Sequence, residues 1–290
     1  MVDKNNNPAG RLHSILSTMK VVSGQSLLRA WASALGVSER DMPKFFRRYG
    51  EALGLPVQIC NQLQSIPELG KVQLYLKWLP PLERALSQMQ LNSSSANFFG
   101  SFDNAAFDNL ETAAQMLSMR RPEKTVDPKA LRELAQNARQ LRLEANASDI
   151  DARLKDLVIE NLDRILDAIE EYNIVGVAAL EREVERTIGS WQLKKRDYEE
   201  LSKQPSGRRY FRLIWNILQV LNALNGVVQL PHDLQKLIPH TDNQQEAVIQ
   251  VDRPLGSDWN SVPDGDESKH PLLPAAIRTG SGTSSDQNEA

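Results

Sequence analysis

The chain has 290 residues, 41% of them hydrophobic, enough for one large domain or two moderate ones with a proper core. Its formal net charge of −3 implies no charged partner for the molecule as a whole, and its one cysteine, Cys60, excludes an internal disulfide framework. The charge is uneven, however. Residues 241–290 hold nine acidic and three basic side chains, a balance of −6, which leaves +3 on residues 1–240.

Nearly every ordered segment reads as helix. Asn7-Pro8 opens the first, with Leu12, Ile15, Leu16 and Met19 on one face and a stop near Ser23-Gly24. A second spans 25–35 and ends at Gly36. Pro43 sits in the first turn of a third, with Phe46, Tyr49 and Leu53 expected inward and Gly54 as its stop. Residues 69–89 carry a helical apolar pattern, and Pro80-Pro81 should kink or break it. Residues 91–102 are expected as a loop that tucks Phe98, Phe99 and Phe102 beneath itself. A helix over 104–119 follows, then Arg120-Arg121-Pro122 marks a junction.

The second half has cleaner periodicity. Asp127-Pro128 is a strong helix start, a carboxylate N-cap followed by proline at N1. The helix over 148–172 aligns Ile150, Leu154, Leu157, Val158, Leu162, Ile165 and Ile169, and the short turn Asn173-Ile-Val-Gly176 folds the next helix back antiparallel. Nothing alternates with period two. The fold class is therefore all-α: a helical bundle with an αα-hairpin, in two packed subdomains at 1–120 and 127–206. An amphipathic helix with a short apolar turn at 208–239 and a disordered acidic tail at 240–290 complete it.

Residues 210–230 are the most distinctive stretch, about 31 Å long as a helix. Arg212, Asn216, Gln219, Asn222 and Gln229 form one polar stripe, while Leu213, Ile214, Ile217, Val220, Leu221, Leu224 and Val228 cover the opposite half. A basic run precedes it, with seven basic and three acidic residues over 194–212. As an isolated membrane span the segment is poor, because five amides at roughly 1–3 kcal/mol each cancel its aliphatic gain. Its aliphatic half is expected to find cover outside the chain: on a protein partner, on another copy of itself, or on an anionic membrane surface. The contact set is Arg208, Arg209, Arg212, Leu213, Trp215, Asn216, Ile217, Gln219, Leu221, Asn222 and Leu224.

Two other modes of action are weighed. Ala32-Ser-Ala-Leu-Gly36-Val37-Ser38, with Met42 six residues past the glycine, resembles the core of a helix-turn-helix, which implies a DNA-binding regulator with Lys44, Arg47 and Arg48 on phosphates. Pro43 inside the recognition helix, and Glu39 and Asp41 toward the groove, depart from that pattern, so nucleic acid ranks below a protein partner. A membrane-permeabilising effector, in which several 210–230 helices line an aqueous path, is the third. No phosphate loop and no metal-ligand spacing occurs, and His13, His232, His240 and His270 are scattered. No catalytic residue, metal or cofactor is therefore expected. The start MVDKNNNPAG has no apolar run of a secretory leader, so the expected site of action is the cytoplasm or the inner face of a membrane.

Overall fold

Asn7, Ser26, Asp41, Asp103, Asp127 and Asp151 each turn a side-chain oxygen onto a backbone N–H in the first turn that follows. Each such cap is worth about 1 kcal/mol. In the computed structural model, which describes residues 6–22, 24–67 and 69–225, these caps open helices throughout the described residues. The order is α1 (Pro8–Val21), α2 (Leu27–Ala34), α3 (Met42–Gln64), a 3-10 turn (Val72–Leu76), α4 (Leu79–Ser87), α5 (Ser95–Ser101) and α6 (Asn104–Arg120). Then come α7 (Pro128–Ala147), α8 (Ala152–Val175), α9 (Ala178–Leu193), α10 (Lys195–Ser202) and α11 (Pro205–Asn225). Among the described residues the only extended pairing is an isolated bridge, Ser26 to Ser94. The protein is all-α.

The second half is a four-helix bundle. Salt bridges from Arg142 to Asp163 (2.5 Å) and Arg139 to Glu170 (3.7 Å) set α7 antiparallel to α8. Gly176, at φ +78°, turns the chain from α8 into α9. A Cβ there would meet the Arg11 guanidinium at 2.9 Å, so both the turn and the approach of α1 require glycine. α11 closes the ring against α7 and α9. Arg209 at its start pairs with Glu144 near the end of α7, and Lys124 reaches the Leu224 carbonyl at its other end. Alternate helices thus run up, down, up and down.

In the first half α1 is central, packed on α2, α3 and α6, and both α1 and α3 also pack on α8. One continuous hydrophobic core runs from Ala9 to Leu224. Arg11, nearly fully buried, ties the halves: its Nε donates to the Ile174 carbonyl (3.1 Å) and its Nη1 binds Glu123.

Several expectations are corrected. Gly54 does not stop α3, which continues to Gln64 because Leu55, Ile59 and Leu63 extend a core-facing stripe begun by Phe45 and Ala52. That stripe decides which face is buried, so Phe46 and Leu53 face solvent. The helical pattern over 69–89 is broken as expected, though just ahead of Pro80-Pro81: the 3-10 turn ends at Leu76 and α4 starts at Leu79, so the prolines lie in its first turn, where their missing N–H groups have no partner to lose. The 91–102 segment contains α5, and Phe98 and Phe102 join the main core. α10 ends at Ser202, and Pro205 and Gly207 lie in the first turn of α11. Gly207 lies so close to the Leu201 carbonyl that a Cβ would stand 1.8 Å from its oxygen. The 226–239 part of the amphipathic segment and the 240–290 tail lie outside the described residues.

Candidate contact surface

α11 is amphipathic as its sequence indicates, but its aliphatic half is covered by its own chain. Leu213, Ile214, Ile217, Val220, Leu221 and Leu224 are all buried, with Leu213 the most exposed at 4%. They point into the bundle, where α7, α9 and α10 pack against α11. The expectation that this half finds its cover elsewhere is therefore not met. Leu213, Ile217, Leu221 and Leu224 belong to the core and are not available to a membrane, a pore or a partner groove.

The opposite stripe faces outward. Arg208, Arg209, Arg212, Asn216 and Gln219 are exposed, Asn222 is half-buried, and Trp215 shows 36% of its surface. Arg209 is engaged by Glu144, whose carboxyl is held below its usual range by a hydrogen bond from Gln140 and by Arg209 itself. No acidic side chain of α11 interrupts the stripe, because the helix contains none. Arg212 and Arg208 thus stand one and two turns before Trp215, and neither forms an ion pair among the described residues.

Beneath the stripe lies a buried polar network. Asn161 of α8 donates to the Tyr198 hydroxyl (3.0 Å), which donates to Ser190 of α9 (3.2 Å). The Tyr210 ring lies tilted 34° to that of Tyr198 with centroids 6.5 Å apart, and burial pushes its phenol well above the ordinary value. The network fixes α10 and the start of α11 onto the α8–α9 hairpin.

The basic residues offered as DNA contacts are consumed inside the chain. Lys44 binds Glu170 (2.6 Å), Arg47 binds Asp167 (2.8 Å) and Glu171 (2.7 Å), and Arg48 binds Glu170 (2.7 Å). Arg48 is 2% exposed and also donates to the carbonyls of Leu35 (3.0 Å) and Gly36 (3.1 Å), so it staples the end of α2 to α3 and α8. Burial pushes Asp167 and Glu170 up, but the hydrogen bonds and charges of Arg47, Lys44 and Arg48 outweigh it and hold both carboxyls low. For Glu171 burial wins, and its carboxyl is raised. Lys44, Arg47 and Arg48 thus each hold a carboxylate of α8 within 2.8 Å, and their charge is engaged inside the chain.

Other concave surfaces are open. A cleft of about 550 Å³ between α1, α2 and α8 has Arg48 and Glu170 in its wall, both committed to the ion-pair cluster. A groove of about 830 Å³ runs along α7 and α8 past Leu131, Ala135, Leu143 and Ile169. Cys60 is half-buried, and burial with the nearby charge of Glu83 pushes its thiol up, away from the thiolate a nucleophile needs. Among the described residues no group of three His, Cys, Asp or Glu side chains could hold a metal ion, and no helix is long and apolar enough to cross a membrane.

The sequence reading missed one surface. Phe46, Leu53 and Val57 form an exposed apolar line on α3, and the signal was present in their spacing of seven and four residues. Comparison with known protein families, curated proteins and solved structures finds no match for this chain.

Proposed function

We propose that the protein is a non-enzymatic helical contact protein of the cytoplasm, and that the outer stripe of α11 engages an acidic surface on a protein partner. One observation carries the reading: Arg208 and Arg212 stand on an acid-free helix face beside the half-exposed Trp215. Arginine and tryptophan are the residue types that most often dominate binding at protein interfaces, and Asn216 and Gln219 supply uncharged donors and acceptors around them. A protein partner fits better than a membrane. The aliphatic half that would enter lipid faces inward, and two arginines, unpaired among the described residues, are worth only about 1 kcal/mol each against an anionic bilayer.

The test compares the full chain with Arg208→Glu/Arg212→Glu and with Trp215→Ala, immobilised in parallel and exposed to a native cytoplasmic extract. The expected result is a defined protein retained by the wild type, released as salt rises, and lost from both variants while the far-UV CD spectrum is unchanged. Identical retention by all three proteins would overturn the reading. So would strong co-sedimentation with phosphatidylserine vesicles at physiological salt, which would restore the membrane.

A further inference from the structure

We infer that a second copy of this chain docks on the outer face of α3, forming a weak antiparallel α3–α3 dimer. On that face Phe46, Leu53 and Val57 are 51%, 37% and 62% exposed, on one line along the helix. Gly50 and Gly54 lie beside them, and nothing inside the chain accounts for either. A Cβ on Gly50 would touch nothing within 4 Å, and one on Gly54 would meet only the tip of the Gln58 side chain at 4.0 Å. Glycine weakens a helix interior, so two of them four residues apart on an open face suit the close approach of another backbone.

The pattern is complementary to itself. Phe46 and Val57 are equidistant from the point between Glu51 and Ala52, and so are Gly50 and Leu53. A two-fold axis at that point therefore sets Leu53 of one copy over Gly50 of the other, and Phe46 of one against Val57 of the other. Each knob meets a gap or an apolar partner, as an isologous interface requires.

Charge favours the same occupant. The charged residues of α3 after Phe46 are Arg47, Arg48 and Glu51, and all three are held by α8 or α9: Arg47 by Asp167, Arg48 by Glu170, Glu51 by Arg182 at 2.9 Å. The face that carries Phe46, Gly50, Leu53 and Val57 is itself uncharged, and Arg47, exposed at its flank, is paired with Asp167 and Glu171, so two copies bring no unpaired like charges together and a charged partner finds little to steer it. The three apolar side chains expose on the order of 250 Å² per copy, against about 800 Å² per partner in a stable complex. The dimer is accordingly concentration-dependent rather than obligate.

The test is sedimentation velocity of the full chain from about 5 μM to about 1 mM, spanning the affinities such an interface reaches. The expected result is a weight-average mass rising toward twice the monomer, with Val57→Glu and Gly50→Gln each monomeric throughout. Neither variant should lower the melting temperature, since both positions are open in the monomer; Gly50→Gln should raise it. Arg208→Glu/Arg212→Glu should dimerise like the wild type, which separates this interface from the α11 contact. A wild type monomeric at every concentration would overturn the inference, as would a dimer that survives both α3 variants.

Discussion

Replacing Arg48 by methionine tests whether the ion-pair cluster is structural cement or ornament. Methionine keeps most of the aliphatic volume, so the change removes polar contacts and leaves little cavity. Three hydrogen bonds go, to the Leu35 and Gly36 carbonyls and to Glu170, together with a longer 3.9 Å pair with Glu171. The carbonyl bonds come from a charged donor that is 2% exposed, and are worth about 1–1.5 kcal/mol each after leaving their acceptors unpaired. The pair with Glu170 is discounted to about 1 kcal/mol, because that carboxylate is 36% exposed and keeps Lys44. The sum is about 3–4 kcal/mol, or a melting temperature lower by about 6–16 °C for a unit of this size. Urea unfolding followed at 222 nm reads it directly, with Arg47→Met as the control. Arg47 is 45% exposed on its side chain and should cost under about 1 kcal/mol. A loss for Arg48→Met no larger than for Arg47→Met would refute the assignment of Arg48 as the staple between α2, α3 and α8.

The same cluster sets a pH dependence. Asp167 and Glu170 have lowered folded-state pKa values, so the stability they contribute is present above the ordinary carboxylate range and is lost as pH falls through their folded values. Glu171 is raised and acts in the opposite sense, losing stability as pH rises through its folded value. Asp167→Asn should therefore destabilise at pH 7 and not at pH 3, whereas Glu171→Gln should cost least at pH 7; equal pH profiles for the two variants would contradict this. Gly207→Ala should cost at least about 2–3 kcal/mol, since its Cβ lands on the Leu201 backbone; a melting temperature within error of wild type would show that α10 can shift freely. Tyr198→Phe strands the buried Asn161 amide and should cost about 1–3 kcal/mol, read as a shifted urea midpoint with an unchanged slope.

The fold class, the α8–α9 hairpin and most helix starts were legible because caps and apolar periodicity are local signals. Asp127-Pro128 announced α7, and Asn7-Pro8 announced α1, without tertiary help. What the sequence hid were choices made by partners far along the chain. α3 offers two apolar lines, Phe45–Ala52–Leu55–Ile59–Leu63 and Phe46–Leu53–Val57, and only the packing of α1 and α8 against it selects the first. Lys44 and Arg47 read as free cations because Asp167 and Glu171 lie more than 100 residues away. The amphipathic character of α11 was plain, yet periodicity states that a greasy side exists and not what covers it. Here α7, α9 and α10 do.

Arg11 has a consequence for how the protein is made. Its donors end on Ile174 and Glu123, so α1 leaves the ribosome carrying a buried cation whose acceptors are synthesised more than 100 residues later. At about 5–20 residues per second, the nascent N-terminal half waits on the order of ten seconds for the bend after α8. During that interval the α8-facing sides of α1 and α3 stand open to other chains and to chaperones. Translational pausing between α6 and α8 should therefore raise the fraction of chains lost to aggregation, while pausing after α9 should not.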